Sequence, residues 1–200
     1  LAVTARGILF SGPLVRSILD GRKTVTRRVV RIPEREGCVR TGNEWSDPGL
    51  GDGGYLHVEY RDDADAYVER VRAPWAVGSR LWVRETWRQA VSLTPTKLRV
   101  GERIVYRADD GVPQGVWRPS IFMPRWASRI DLEVTGVRVE RLQEITEEDA
   151  RAEGVTRSDG AHPESARNAY ARLWDAINGK RAPWASDPMV WRVEFRRVES

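Results

Sequence analysis

ILDGRKTVTRR, residues 18–28, carries the chain from the end of an apolar helix into a β-branched strand. Just upstream, SGPLVRSILDG (11–21) predicts a short helix. Ser11 or Gly12 can cap it, Pro13 suits its first turn, and Gly21 stops it. Leu14, Val15, Ile18 and Leu19 form its apolar face. TVTRRVV (24–30) follows as a strand. Lys23 therefore falls at a helix-to-strand junction, where side chains stand at the rim of a sheet or barrel. Lysine is scarce in this chain: only Lys23, Lys97 and Lys180 occur, and the rest of the 33 basic Lys and Arg residues are arginine. Arginine does not give up its proton near neutral pH. A lysine is needed here if the cation must shed its charge or make a compact contact. By spacing alone, the first reading is an ordinary solvated turn residue.

Working outward, GILF (7–10) reads as a short buried strand. Residues 31–79 are the least orderly and read as a loop-rich insertion within one domain spanning 1–200. TGNEWSDPGLGDGG (41–54), with five glycines and a proline, is expected to be an exposed, mobile loop. YLHVEY (55–60) and AYVERV (66–71) can pair as a hairpin across RDDAD. From Gly78 onward strands dominate: RLWVRETW (80–87), ERIVYRAD (102–109) and the long alternating RIDLEVTGVRVERL (129–142), with a bulge expected at Gly136. VWRPSIFMPRWASRI (116–130), punctuated by Pro119 and Pro124, is expected to wrap along the surface.

ITEEDARAEG (145–154) is a short helix with Thr146 as N-cap, acidic residues in its first turn and Gly154 as its stop. PESARNAYARLWDAING (163–179) is a longer one, with Ala166, Tyr170, Leu173, Trp174 and Ile177 on one face. MVWRVEFRRV (189–198) closes as a strand with Trp191, Val193 and Phe195 pointing inward. Seven or eight strands with three helices, and few strand–helix–strand alternations, give an α+β class with a mostly antiparallel, curved or barrel-like sheet.

Composition narrows the function classes. At 40% hydrophobic and 31% charged residues, the chain reads as soluble and globular. No apolar run approaches the ~18 residues of a membrane span, and the apolar stretch near the N-terminus is too short for a signal peptide, so no membrane partner is expected. One cysteine, Cys38, fits a reducing, cytoplasmic setting. With two histidines, His57 and His162, no metal site of the Cys/His type is expected, and no organic cofactor motif is present. The net charge of +4 suits an anionic partner. The arginine excess also follows from a GC-rich coding bias alone.

Here a resemblance enters. Gly21-x-Lys23-x-x-Thr26-x-Arg28 resembles the Gly-x-Lys-x-x-(Glu/Thr)-x-Arg motif of ASCH domains, which have a PUA-like β-barrel fold. Thr at the sixth position is similar to the small bacterial N4-acetylcytidine amidohydrolases. That resemblance implies a catalytic set of Lys23, Thr26 and a later Glu near the end of a short helix opening with Thr-Glu, here Glu153. The longer segments ILFSGPLVRSIL, RLWVRETW, WRPSIFMPRWASRI and WRVEF resemble phage and prophage ASCH-like proteins of this length. The expected fold is thus a PUA-like curved β-barrel with flanking short helices.

The bottom-up chemistry is compatible. A buried Lys with Arg22, Arg27 and Arg28 nearby has a lowered pKa and can act as a base. The Thr26 hydroxyl would then be the nucleophile, with Glu153 assisting departure of the amine. Thr26 is equally a plain strand former, and Glu153 an ordinary helix-end charge.

A second group is aromatic and basic. Trp82 and Arg84 share one strand face, and Trp126 and Arg129 crowd one segment with Trp117, Arg118 and Arg125. Such pairs suit base stacking and phosphate contact. They are also what core tryptophans with outward-reaching arginines look like. Glu85 is either an acceptor for an exocyclic amine or the salt partner of an arginine. Arg22, Arg28, Trp82, Arg84, Glu85, Trp126 and Arg129 are the binding candidates. The partner expected is a modified nucleoside or single-stranded nucleic acid. The alternatives are a non-catalytic nucleic-acid reader and a ribonuclease, the latter requiring acid–base groups that only His57 and His162 would readily supply.

Overall fold

The computed structural model describes residues 5–33, 39–46, 55–61, 65–94, 97–109, 115–155 and 165–198. Among them the fold is mixed α+β, with ten strands, three α-helices and several short 3-10 turns. The chain packs as two compact units, each drawn from separate stretches of sequence.

The first unit comprises the described parts of Leu1–Arg22, Arg80–Glu133 and Arg197–Ser200. It holds β1 (Arg6–Leu9) and α1 (Gly12–Leu19). Helix α1 starts after Ser11, has Pro13 in its first turn, and buries Val15, Ser17 and Ile18. Gly21 takes a left-handed φ of 72°, the conformation glycine adopts at least cost, and ends it. Strand β1 pairs with β6 (Arg80–Arg84) in parallel, Ile8 opposite Val83, a parallel element within a sheet expected to be mostly antiparallel. Strand β6 in turn pairs antiparallel with the start of β9 (Asp131–Arg141), Leu81 opposite Leu132.

RLWVRETW is two strands rather than one. After β6 the chain breaks, and β7 (Trp87–Thr94) begins a hairpin with β8 (Lys97–Tyr106). The segment 116–130 runs through two 3-10 turns, Ser120–Phe122 and Arg125–Ala127, as its prolines dictate. It is not purely a surface strap, because Met123 and Ala127 are buried with Trp87 in a small core that Ile104 and Tyr106 flank.

The second unit comprises the described parts of Lys23–Ser79 and Val134–Arg196. β2 (Val25–Val29) pairs antiparallel with β10 (Met189–Val198), Thr26 opposite Val193, and β10 neighbours β9. Strands β3 (Val39–Ser46), β4 (Tyr55–Arg61) and β5 (Ala66–Arg72) form an antiparallel meander. β4 and β5 are the expected hairpin. Residues 41–46, expected in a loop, belong instead to β3, with a register shift between Arg40 and Gly42. Pairing with β4 overrides the weak strand preference of Gly and Asn there. The rest of that expected loop, 47–54, lies outside the described residues.

α2 (Glu147–Ala152) is capped as expected: the Thr146 hydroxyl accepts from the Asp149 amide, and Gly154 at φ 85° ends the turn. α3 (Ala166–Asn178) is capped by Ser165, and the Glu147 carboxylate accepts from the Ala166 and Arg167 amides at 2.9 and 3.1 Å. An anion there complements the exposed N–H groups and the helix dipole. Leu142, Ile145, Ala150, Ala166, Tyr170, Trp174 and Val190 form the core between these helices and β10. Ile177, expected on the buried face of α3, is instead exposed, while Ala169 is buried. The core contact of α3 ends one turn before the helix does.

Candidate functional site

All three candidate catalytic residues lie in the second unit, and two of them, Lys23 and Glu153, are in direct contact. Lys23 forms an isolated antiparallel bridge with Glu153, and the Thr24 amide donates to the Ala152 carbonyl at 2.9 Å. This backbone contact sets the end of α2 beside the start of β2. Lys23 and Glu153 are 2% and 3% exposed. The Lys23 ammonium donates to Glu153 Oε2 at 2.6 Å, to the Glu153 carbonyl at 2.9 Å and to the Val25 carbonyl at 2.7 Å. Three acceptors match the three N–H bonds of a charged lysine.

Around the pair lies an array of buried and half-buried charges. Arg27, 3% exposed, donates to Glu140 Oε1 at 2.7 Å, to Asp149 Oδ2 at 2.8 Å and to Glu153 Oε1 at 3.2 Å. Arg192 donates to Asp149 Oδ1 at 2.8 Å and also pairs with Glu194. The Tyr170 hydroxyl donates to Glu153 Oε1 at 3.3 Å. Mutual satisfaction is what lets charges sit at this depth, since an unpaired buried charge costs several kcal/mol.

Burial pushes the Lys23 amine below its ordinary pKa; Glu153 opposes that shift, while Arg28 and Arg27 reinforce it. Burial also lowers Arg28, against Glu153 and Tyr170. For Arg27 burial acts downward too, but Glu153 and Glu140 outweigh it and raise the pKa. Tyr170 is held well above the usual phenol value by burial and by the neighbouring Glu153 carboxylate.

Thr26 is buried as the second residue of β2, three residues beyond Lys23, which precedes the strand. Arg28 is half-buried on the same strand. Arg22 belongs to the first unit, is exposed, and pairs with Asp20 at 2.7 Å. Of the three adjacent arginines, Arg27 and Arg28 are therefore the ones that act on Lys23.

The remaining candidates lie in the first unit. Glu85, 1% exposed, is bidentate with Arg129, at 2.9 Å to Oε1 and 3.1 Å to Oε2. Its partner is thus Arg129, not the adjacent Arg84. Burial raises the Glu85 pKa, against Arg129. Arg129 also bonds Asp109 at 2.7 Å and lies 3.9 Å over the Tyr106 ring. Arg84 lies 5.3 Å over the Trp82 ring and donates to the Ile121 carbonyl. Trp126 is 65% exposed, with its ring 5.7 Å from Trp87 in an edge-to-face contact.

His57 sits on β4, and His162 lies outside the described residues. Among the described residues no group of three or more His, Cys, Asp or Glu side chains is placed to hold a metal ion. Among them, too, no helix is long and apolar enough to cross a membrane.

Sequence reasoning missed the breadth of the charge array: Glu140, Asp149 and Arg192 were not singled out, and Tyr170 stood only as an apolar face residue. One signal was present. Arg192 interrupts an otherwise apolar run, Val190 to Val193, on a strand whose residues are buried on both faces. No protein-family model, no curated protein and no solved structure matches this chain.

Proposed function

We propose that this is a PUA-like, ASCH-type protein whose Lys23–Glu153 centre acts on a modified nucleobase and cleaves an N-acyl amide such as that of N4-acetylcytidine. One observation carries the reading. Two residues picked out in separate motifs, 130 positions apart, share a buried hydrogen bond of 2.6 Å. Burial lowers the Lys23 pKa against the pull of Glu153, which favours the neutral amine that a general base needs.

The neutral amine then takes the proton of Thr26 Oγ as the oxygen adds to the acyl carbonyl. Collapse of the tetrahedral adduct breaks the C–N bond, and the exocyclic amine leaves with a proton from the Lys23–Glu153 pair. Water hydrolyses the resulting Thr26 ester, releasing the acid and restoring the hydroxyl. The test is to incubate the protein with N-acylated cytidines and acylated RNA and to measure release of the amine and the acid. Turnover that Thr26→Ala and Lys23→Arg both abolish is the expected result. No turnover by the folded wild-type protein on any of them overturns the reading.

A second reading rests on the three acceptors around the Lys23 ammonium. They spend all its N–H bonds and leave no lone pair, which suits a fixed charge in a binding module. In that case Lys23→Arg retains ligand binding and no amide is cleaved.

A further inference from the structure

The described residues include seven large hydrophobic side chains that are exposed: Leu9, Val68, Val116, Ile121, Phe122, Trp126 and Ile177. Four of them fall within eleven residues of the first unit, at 116–126, with Phe122 71% and Trp126 65% exposed. A cluster of this kind on a folded surface needs an explanation. The local structure explains how it is held. Each of the two 3-10 turns drives a small anchor inward, Met123 after one and Ala127 at the end of the other, both 1% exposed. The side chains beside those anchors therefore point outward. Arg84 braces the first turn at the Ile121 carbonyl, and Trp87 braces the Trp126 ring edge-to-face. The aromatic surfaces are thus held out of the core by a rigid support.

The charge around them selects the partner. Residues 115–130 contain no acidic residue and carry Arg118 and Arg125 on this face, while Arg129 is spent on Glu85 and Asp109. Arg118 stacks over Trp87 at 5.1 Å and Arg88 over Trp117 at 5.0 Å. Arg125 is half exposed and contacts Asp131 at 2.7 Å. A second copy of the same face would bring like charges together, which disfavours self-pairing. Unstacked bases beside a phosphate chain match both properties, because every base has a face for an aromatic ring and each phosphate a charge for an arginine.

We propose that the 116–126 face binds single-stranded nucleic acid, with Phe122 and Trp126 stacking on bases and Arg118 and Arg125 contacting phosphates. This surface works whether or not the Lys23 centre is catalytic.

The experiment is a titration of the full chain with fluorescein-labelled twelve-nucleotide oligo(U) and oligo(dT), and with a duplex of equal length, at several salt concentrations. Single strands should bind better than the duplex and quench tryptophan fluorescence. Trp126→Ala and Phe122→Ala should each weaken binding at least about fivefold with little change in salt dependence. Arg125→Ala should reduce the slope of log affinity against log salt by about 0.7. Both aromatics are exposed, so thermal melts of these variants should match the wild type. Ile177→Ala, at an exposed hydrophobic residue of the second unit, should keep the affinity. The proposal is overturned by any of four results: no binding at low salt, binding that neither aromatic variant weakens, a preference for duplex, or self-association in sedimentation that Trp126→Ala removes.

Discussion

Lys23 and Glu153 meet twice, once through an antiparallel backbone bridge and once through a 2.6 Å bond between their side chains. The backbone contact fixes the position of the side-chain contact. The carboxylate does not depend on a mobile loop to reach the amine, because it leaves the C-cap residue of a helix that is itself tied to the start of the strand.

Removing Lys23 takes from the buried Glu153 its shortest hydrogen bond and leaves it only Arg27 and Tyr170 as side-chain partners. Lys23→Met should cost about 3 kcal/mol of stability. The double variant Lys23→Met/Glu153→Gln should recover at least about 1 kcal/mol relative to the sum of the single changes. Urea denaturation of the four proteins gives the coupling energy. Simple additivity would mean that the pair contributes nothing as a pair.

The Lys23 pKa is lowered, so the neutral amine becomes more abundant as pH rises through that lowered value. Hydrolysis under the proposed mechanism should climb over the same range, and Lys23→Arg should remove it while keeping the charge. The sign for stability follows from the same shift. Between the folded value and the higher unfolded one, the unfolded chain binds the extra proton, so stability rises with pH there. A profile of kcat/KM against pH that shows no rise between neutral and alkaline pH would exclude Lys23 as the base.

Asp149 behaves in the opposite sense. Burial acts to raise its pKa, but hydrogen bonding to Arg192 and the charge of Arg27 outweigh that and hold it below the ordinary aspartate value. Its contribution is present above the unfolded pKa, near ~4, and is lost as pH falls through the lower folded value. Asp149→Asn should cost about 2 kcal/mol near neutral pH and flatten the acid limb of the stability curve. Urea midpoints measured from pH 2 to 7 test this; an unchanged acid limb would remove Asp149 from the network.

Gly7 is a packing position in the first unit. A Cβ there would lie 2.7 Å from Arg84 Cδ and 3.0 Å from Trp82 Cζ2. Both approaches are tighter than an ordinary Cβ contact, so the arginine stem and the tryptophan ring must both shift. Gly7→Ala should therefore cost about 1–3 kcal/mol and separate the stacked Arg84–Trp82 pair. Thermal unfolding followed by tryptophan fluorescence reads both effects. A variant as stable as the wild type would show that the ring has room to move.

Local signals in the sequence determined the helices and the closing strand. Thr146, Ser165 and Gly154 act on backbone groups within a few residues of themselves, and the alternation in 189–198 needs only its own strand. Lys23 was legible for a related reason: a lone lysine beside a turn glycine contrasts with a chain that otherwise writes cations as arginine. Tertiary structure decided the rest. β3 is a strand because β4 supplies its hydrogen bonds, which no propensity of Gly42 or Asn43 foretells. Ile177 is exposed because the core stops at Trp174, although the helical period continues past it. The charges around Lys23 were the least legible part. Arg27 meets Glu140, Asp149 and Glu153 across 113, 122 and 126 residues. A charge leaves no periodic trace of the partner it will find; only the folded backbone sets that distance, and with it whether the charge is solvated or buried and paired.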